Sequence, residues 1–595
     1  MVERPRSQCA GLGPRRAARG GHLWSLGCFL DQFQHDRDPA FPTRLVISRP
    51  GVRAWEGGRG RASDAAGRAC GRDFCVGRPA SSRVGMSAYG HKESAGPEGE
   101  AARGEHPTAT VIGRSISFRM GSQILSSLIN VAGMVVLGNY LAADGYGQYA
   151  FYYALVPLIA SLSDLGVGVI ITKEIARTPE LGPRYLGDAL LIKGAVALAM
   201  LLVVTVTVPL VLDGPHALLV WLVTVTALID LTQDVGIWVF RAHDRQDLEA
   251  LLLLLSQIAW VGGILLCVAL KGHLTFALAS ATIAFLLRFA VGSLLVRRIL
   301  YRPVYSPDWD RLKRLVAEGL PFGLAIFAVV VYGRAGVLLL KGLASNADVA
   351  YFNIGYMLSQ PLGFISSAFS VSVFPSLARS ARLGPESVQP VLRSAVKFQF
   401  LAALPLSVGL FLLSRRVVRL LLHGGSFQQA GGALMVLSLA LTFIFLNLMS
   451  RYVLAALDQQ RAYLRAIVAG LLVNVALGVA LIHRFGYLGA CVGLLGGEIA
   501  VLIMCQRTIG RHLPVAILFR EAARPLAAAL GMGGVVFLMR DANLALVTVV
   551  GGGVYISLLI LLKVLSDEEL RVMRGVYVSF RLPGSGWLTR TSNRP

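Results

Sequence analysis

The sequence predicts an all-α integral membrane protein of about 14 transmembrane helices, arranged as two pseudo-symmetric six-helix lobes followed by a C-terminal helix pair. Of the 595 residues, 55% are hydrophobic and 15% are charged, whereas a soluble chain of this size carries more charge on its surface. The apolar residues occur in long blocks near the ~20 residues that cross a ~30 Å hydrocarbon core. An apolar hairpin also occurs twice, with matching residues first at Leu141, Ala142 and Tyr149 and later at Leu343, Ala344 and Tyr351.

Residues 1–110 differ from the rest of the chain. All basic charge before Met86 is Arg, without Lys, among Gly, Ala and Pro, and no sustained apolar period is visible. This composition is typical of a disordered cytoplasmic tail. The alternative, which we favour, is a mis-annotated extension with translation starting at Met86 and not at Met1.

Apolar length places the spans in order. The first lobe, residues 111–300, has spans near 118–140, 148–172, 189–212, 216–240, 250–270 and 274–296. The second lobe, residues 301–510, has spans near 318–340, 349–375, 396–414, 430–455, 462–483 and 487–507. Residues 511–565 add spans near 522–539 and 543–564, and residues 566–595 form a cytoplasmic tail. The turn with Ala242, Asp244 and Gln246 recurs as Ala456, Asp458 and Gln460, which supports an internal duplication.

The loops predict the orientation, because Lys and Arg concentrate on the cytoplasmic side of a membrane. Loops after even-numbered spans are rich in both, and loops after odd-numbered spans are nearly bare. We therefore expect a multi-pass protein of the cytoplasmic (inner) cell membrane with both termini in the cytoplasm. The exception is Arg415, Arg416 and Arg419 after the ninth span, which we interpret as a short amphipathic helix in the membrane interface.

Composition and motifs argue against other classes. The net charge of +23 is spread over short loops and the N-terminus, so no nucleic-acid partner is expected. No CxxC pair suggests a metal site or disulfide framework, and no GxxxxGK[ST] loop suggests an ATP site. The pair Asp308 and Asp310 could hold a metal and a nucleotide sugar, but a linker turn explains it better. We expect no enzyme activity, no cofactor and no metal.

Charges inside the spans are the candidate functional residues, because a charge in lipid is costly unless it faces a protein cavity. Arg288 and Arg334 lie within the sixth and seventh spans, and an arginine fork suits a phosphate. The carboxylates of Asp164, Asp230 and Asp234 could bind the Na⁺ or H⁺ that drives transport, or could pair with these arginines. Interhelix pairing is the favoured explanation for Lys193, Glu318 and Lys397, which lie near span ends.

Several segments carry a family resemblance over residues 111–565. The segments LGNYLAADGYGQYAFYYAL, SDLGVGVIITKEIAR and LLLKGLASNADVAYFNIGYMLSQP resemble the polysaccharide and oligosaccharide-lipid flippases of the multidrug/oligosaccharidyl-lipid/polysaccharide exporter superfamily. The resemblance implies two lobes around a cavity that opens alternately to each side, and an undecaprenyl-pyrophosphate-linked sugar as cargo. Many relatives have an acidic residue in the seventh span near the position of Tyr332-Gly333-Arg334 here, which weakens any ion-coupling role at that position.

The sequence thus predicts a flippase for lipid-linked oligosaccharide in cell-surface polysaccharide biosynthesis, such as that of lipopolysaccharide or exopolysaccharide. Arg288 and Arg334 are the predicted pyrophosphate ligands, and Asp164, Asp230 and Asp234 the ion-coupling residues. The expected partners are the lipid-linked oligosaccharide, membrane lipid and a Na⁺ or H⁺ gradient. The alternatives are a lipid II flippase or drug/cation antiporter of the same superfamily, or a membrane glycosyltransferase or polymerase.

Overall fold

Helices account for nearly all of the residues that the computed structural model describes, which are residues 109–212, 214–423, 425–510 and 515–564. The predictions for residues 1–108 and 566–595, including the choice between Met1 and Met86, lie outside this part. The helices are α1 (Ala109–Ser163), α2 (Val167–Arg177), α3 (Gly182–Val211), α4 (Gly214–Ala242), α5 (Gln246–Ala269), α6 (Leu274–Leu295), α7 (Trp309–Leu343), α8 (Asn346–Ser359), α9 (Gly363–Leu383), α10 (Pro385–Leu421), α11 (Ala430–Ala456), α12 (Gln460–Phe485), α13 (Tyr487–Ile509), α14 (Val515–Leu538) and α15 (Leu544–Leu561).

The number of membrane crossings agrees with the sequence prediction. Within the described residues, 13 helical stretches are long and apolar enough to cross a membrane. The first of these, Gly121–Ser163, contains a kink at Ala142 (φ 55°, ψ −177°). Because this kink divides the stretch into two segments, fourteen crossings result, and the predicted all-α membrane fold is confirmed.

The second crossing, predicted as one span over 148–172, is broken at Asp164–Gly166. Leu165 and Gly166 both have positive φ, at 52° and 66°. The break brings this backbone against α7, where a Cβ on Gly166 would lie 2.1 Å from the carbonyl oxygen of Gly319 and 2.3 Å from the amide nitrogen of Gly323. The eighth crossing is also interrupted, here by a 3₁₀ turn, Gln360–Leu362, between α8 and α9.

The repeated turn has the same backbone geometry in both copies. Asp244 and Asp458 each have φ of 56°. The following amide closes each turn onto the preceding helix, with Arg245 N donating to Phe240 O at 2.9 Å and Gln459 N to Leu454 O at 2.7 Å. The turn residues that match in sequence therefore mark a structural repeat.

For description we keep the predicted division and call α1–α6 the first lobe and α7–α13 the second lobe. In the first lobe α1 packs against α4 and α5, and α4 against α3 and α6. In the second lobe α11 packs against α8, α9, α10 and α13, and α12 against α7 and α13. The lobes meet where α1 contacts α7 and α8, and where α2 contacts α7. The pair α14 and α15 packs on α10.

The ends of α10 and α7 decide two interpretations made from the sequence, that of the Arg415–Arg419 segment and that of the Asp308/Asp310 pair. The segment with Arg415 and Arg419 is not a separate interfacial helix, because it continues α10 without a break. Its middle arginine, Arg416, donates to the carbonyl oxygens of Arg540 and Ala542, and so ties α10 to the turn between α14 and α15. Asp308 caps α7 by accepting from the amides of Asp310 at 3.1 Å and Arg311 at 3.3 Å, as a linker turn does.

Candidate functional site

A cavity of about 460 Å³ lies between the two lobes. Its walls come from α1 and α5 on one side and from α7, α8, α9 and α11 on the other. The polar lining consists largely of neutral groups, among them Gln123, Asn130, Gln257, Asn353, Gln360 and Ser367. The charged residue in this lining is Arg334, and the lining contains no carboxylate.

Arg334 is half-buried on α7, close to the hydroxyls of two cavity tyrosines, Tyr153 and Tyr356, with which it interacts electrostatically. Among the described residues it has no ion-pair partner. Tyr153 also interacts electrostatically with Asp230 of the first lobe. A cation in a polar cavity without a carboxylate of its own is available to an anionic ligand.

One end of the bundle closes this cavity, and we call it the Asn139 end. It is the end at which α1 kinks and at which α7 and α10 finish. Tyr146 is fully buried there, accepts a hydrogen bond from Asn353 Nδ2 at 3.1 Å and packs edge-to-face on Phe427 with ring centroids 5.9 Å apart. Gly147 approaches the second lobe so closely that a Cβ would lie 1.8 Å from the carbonyl oxygen of Asn346.

Two hydrogen bonds of Asn139 connect the lobes at the same end. Its Nδ2 donates to the carbonyl oxygen of Leu421 at 3.1 Å, and its Oδ1 accepts from the amide of His423 at 2.7 Å. We call this pair the Asn139 latch. The latch joins the end of the first crossing to the segment that follows α10.

The first lobe contains a cluster of charges outside the cavity lining, in which Lys193 is fully buried and the other members are half-buried. Lys193 on α3 is fully buried and pairs with the carboxylate of Asp164 at the break before α2. Its ammonium also donates to the Asp164 carbonyl oxygen at 3.2 Å and lies 4.6 Å from the ring centre of Trp238. The structure therefore places Asp164, a predicted ion-coupling residue, in an ion pair.

Asp230, Asp234 and Arg288 complete the cluster. Both carboxylates, four residues apart on α4, interact electrostatically with Arg288 on α6 and with Lys193. Asp230 also accepts a hydrogen bond from Gln233 Nε2. Arg288 Nε is buried and has no hydrogen-bond partner among the described residues.

The second lobe contains a different buried group. Glu498 on α13 is 8% exposed and accepts from the hydroxyl of Tyr332 at 2.9 Å and from Asn447 Nδ2 at 2.7 Å. Among the described residues it has no ion-pair partner. Tyr356 interacts electrostatically with both Glu498 and Arg334, and Glu498 itself is outside the cavity lining.

The predicted site residues thus divide between two places. Arg334 lines the cavity, whereas Arg288 lies with the three aspartates in the first-lobe cluster and outside the cavity lining. No three His, Cys, Asp or Glu side chains of the described residues converge into a group that could hold a metal ion. Sequence reasoning did not find the roles of Tyr332 and Asn447, since neutral polar residues in an apolar helix give no charge signal.

Comparison with known sequences places the chain beside glycan-export proteins. Residues 112–381 match the family model described as polysaccharide biosynthesis protein. The "Probable low-salt glycan biosynthesis flippase Agl15" of Haloferax volcanii is 21% identical, with 62% of this chain and 78% of that protein covered. The "Putative O-antigen transporter" of Shigella dysenteriae is 20% identical, with 62% and 92% covered.

Solved structures with a similar fold are membrane transporters. The lipid II flippase MurJ in an inward closed conformation matches with a TM-score of 0.63 and 13% identity, over 74% of this chain and 97% of that one. An inward-facing multidrug resistance MATE family transporter of the MOP superfamily matches with a TM-score of 0.54 and 17% identity, over 68% and 99%. The predicted resemblance to this superfamily's polysaccharide flippases is confirmed.

Proposed function

We propose that this chain, whose helices follow the fold of those transporters, moves an undecaprenyl-pyrophosphate-linked oligosaccharide across the cytoplasmic membrane for cell-surface polysaccharide biosynthesis. The names of the two sequence relatives support a lipid-linked glycan as cargo. The observation that carries the proposal is Arg334, half-buried in the inter-lobe cavity without a carboxylate partner.

Arg334 suits the part of the cargo that every lipid-linked glycan of this kind shares. A pyrophosphate moved through a low-dielectric core needs a compensating cation, since an isolated buried charge is prohibitively unfavourable. The guanidinium provides that charge in a geometry that matches two phosphate oxygens. The neutral amides and hydroxyls around it can hydrogen-bond sugars of varied structure.

The cavity lining also favours this cargo over the alternatives. A drug/cation antiporter would use carboxylates to balance its cationic substrate, whereas this lining contains an arginine and no carboxylate. A lipid II flippase carries the same pyrophosphate, and the relatives' names support a glycan other than peptidoglycan. A membrane glycosyltransferase needs an acid/base set in a cleft, and the Asp308 carboxylate instead caps a helix.

Transport by alternating access requires the contacts between the lobes to open. These contacts include backbone approaches at Gly166 and Gly147 and the Asn139 latch. They also include the ion pair between the buried Asp188 carboxylate on α3 and Arg311 on α7, 2.6 Å apart, which has to break or move with the start of α7 when the lobes separate. The Lys/Arg distribution in the loops orients the Asn139 end toward the outside. In this orientation the latch opens when cargo leaves.

Coupling to a Na⁺ or H⁺ gradient is assigned to the first-lobe cluster. Its three carboxylates, Asp164, Asp230 and Asp234, outnumber its two cations, so one negative charge remains for a mobile cation to balance. Asp164 is engaged by Lys193, and the α4 pair is therefore the better candidate. Arg288 interacts electrostatically with these carboxylates in the present arrangement, and we propose that it joins Arg334 at the pyrophosphate when the lobes move.

The decisive experiment measures transport of lipid-linked oligosaccharide in proteoliposomes, normalised to inserted protein. Arg334→Ala should lower the rate by about ten- to 150-fold, since a charge-assisted hydrogen bond contributes about 1.5–3 kcal/mol. Arg334→Lys should recover part of the rate, because the charge remains while the fork is lost. Arg465→Ala is the matched control, because Arg465 is an exposed arginine that bonds only to its own helix at Arg461 O.

A wild-type rate for Arg334→Ala in correctly inserted protein would refute the phosphate role. Arg288→Ala, measured in the same assay, separates its two proposed tasks. If Arg288 takes the pyrophosphate in turn with Arg334, its loss lowers the rate at saturating ion gradient. If it only balances Asp230, the rate recovers when Asp230→Asn is added.

A further inference from the structure

Two adjoining cavities at the Asn139 end share one arginine. The first, which we call the polar cavity, has a volume of about 500 Å³ and lies between the end of α10, the segment after it and the start of α13. Its lining includes Arg415, Arg419, His423, Gln428 and Tyr487. It is separate from the inter-lobe cavity and shares no lining residue with it.

The second, which we call the apolar groove, has a volume of about 870 Å³ and lies between α10 and α15. Leu420, Leu544, Ala545 and Val549 line it, together with Arg419 at its junction with the polar cavity. The exposed fraction is 61% for Leu420 and 73% for Val549. An amphiphile with its head in the polar cavity and a chain in the groove would therefore contact Arg419 at the junction.

Within the described part of the chain, no ion pair neutralises Arg415 or Arg419 at this junction. Arg415 and Arg419 are exposed, and among the described residues neither has an ion-pair partner. Arg416 also faces the groove, and its bonds go to the neutral carbonyl oxygens of Arg540 and Ala542. Three arginines of one helix end thus lack a carboxylate.

The carboxylate adjoining the polar cavity is already occupied. Asp348 accepts from the Ser345 hydroxyl at 2.6 Å and from the amide of Tyr487 at 3.1 Å, and it is outside the cavity lining. The cavity therefore presents cations and neutral donors to a ligand. This combination favours a phosphate group over a cation or a neutral sugar.

We propose that the polar cavity and the apolar groove together bind one anionic phospholipid of the surrounding bilayer. Its phosphate is held by Arg415 and Arg419, and one acyl chain lies along Leu420, Leu544 and Val549. Basic pockets between transmembrane helices bind anionic lipid head groups on the cytoplasmic side of membranes, and the same charge attraction applies to an anionic lipid at this end. The site is independent of the inter-lobe cavity, and only its assignment to the outer leaflet rests on the proposed orientation.

The experiment uses the full chain purified in neutral detergent and measures its thermal unfolding midpoint with added lipid. Phosphatidylglycerol should raise the midpoint more than phosphatidylcholine with the same acyl chains, since binding to the folded state stabilises it. The double variant R415A/R419A should lose this preference. Arg484→Ala should keep it, because Arg484 is an exposed arginine at the same end that lines neither cavity.

Two further arms identify which part of the ligand matters. Ala545→Phe fills the exposed groove and should reduce the stabilisation by long-chain phosphatidylglycerol. Inorganic pyrophosphate should stabilise neither this variant nor the wild type. If pyrophosphate alone stabilises the wild type as strongly as the lipid does, the phospholipid assignment is wrong. The ligand would then be a soluble anion or the pyrophosphate group of the cargo. Equal stabilisation of wild type and R415A/R419A by phosphatidylglycerol would overturn the site itself.

Discussion

The two lobes repeat one helical plan but bury charge in opposite ways. In the first lobe, Lys193 and Arg288 lie among three aspartates, and the closest pair is Lys193 with Asp164. In the second lobe, Arg334 faces the cavity and Glu498 lies outside its lining, neither with an ion-pair partner among the described residues. The first arrangement satisfies most of its charge internally, whereas the second leaves a cation available to a ligand. The turn geometry is the same at Asp244 and Asp458, whereas the charged interiors on either side of the cavity differ.

The largest effect expected from this comparison is on stability, in the first lobe. Lys193→Met leaves the Asp164 carboxylate without its cation, and breaking a buried pair in this way costs about 3–5 kcal/mol. The free energy of unfolding in detergent should fall by that amount. The double variant K193M/D164N should recover most of the loss, since both charges are then absent.

Lys341→Met is the matched control for this measurement. Lys341 donates to the neutral Asn346 Oδ1 at 2.6 Å, so its loss leaves no buried carboxylate. An equal loss of stability in the Lys341 and Lys193 variants would contradict the view that the first-lobe cluster depends on internal charge pairing.

The second expected effect is on coupling. Replacing Asp230 and Asp234 together by Asn removes the carboxylates that the two first-lobe cations leave incompletely balanced. The ratio of transport rates with and without an ion gradient should then fall to about one. Without these carboxylates the cation binds the two transport conformations equally, and a ligand that binds both equally cannot shift the equilibrium between them. Asp541→Asn, at a loop carboxylate that is 95% exposed, should leave the ratio unchanged. Undiminished gradient dependence in the double variant would make the two aspartates structural.

The smallest expected effect is at Glu498. Glu498→Gln can keep bonds to both Tyr332 and Asn447, because the amide accepts from one and donates to the hydroxyl of the other. Its stability should change by no more than about 1 kcal/mol, whereas Glu498→Ala orphans two buried donors and should lose about 1–3 kcal/mol. Unfolding in detergent measures both. If transport by the Gln variant no longer depends on the ion gradient, Glu498 of the second lobe, and not the first-lobe cluster, is the ion-coupling residue.

Much of the fold was predictable because apolar length, turn residues and loop charge are local signals. These signals predicted fourteen crossings and the repeated turns. They did not predict the break at Asp164–Gly166, since its physical reason is the approach of α7 to Gly166, a contact between residues far apart in the sequence. They also predicted a separate helix at Arg415, because a basic run after a span gives no information on whether the helix continues.

The candidate site was predictable in composition more than in arrangement. A charge inside an apolar run is visible in the sequence, and Arg334 was found in this way. Which way that charge faces depends on how the helix is rotated about its axis. A helix that is apolar on all sides has no polar face in its sequence from which this rotation can be predicted. This is why Arg288 and Arg334 were expected together, whereas the structure places one among the aspartates and the other in the cavity.

The Asn139 latch has a consequence for how the populations of closed and open molecules can be adjusted. On the second lobe its partners are main-chain atoms of Leu421 and His423, so replacing those side chains leaves both groups in place. The latch therefore depends on a single side chain, that of Asn139. Two hydrogen bonds contribute about 1–3 kcal/mol together, which shifts the closed-to-open ratio by about five- to 150-fold. A change at Asn139 can thus retune that ratio without altering the cavity, the charge cluster or the cargo.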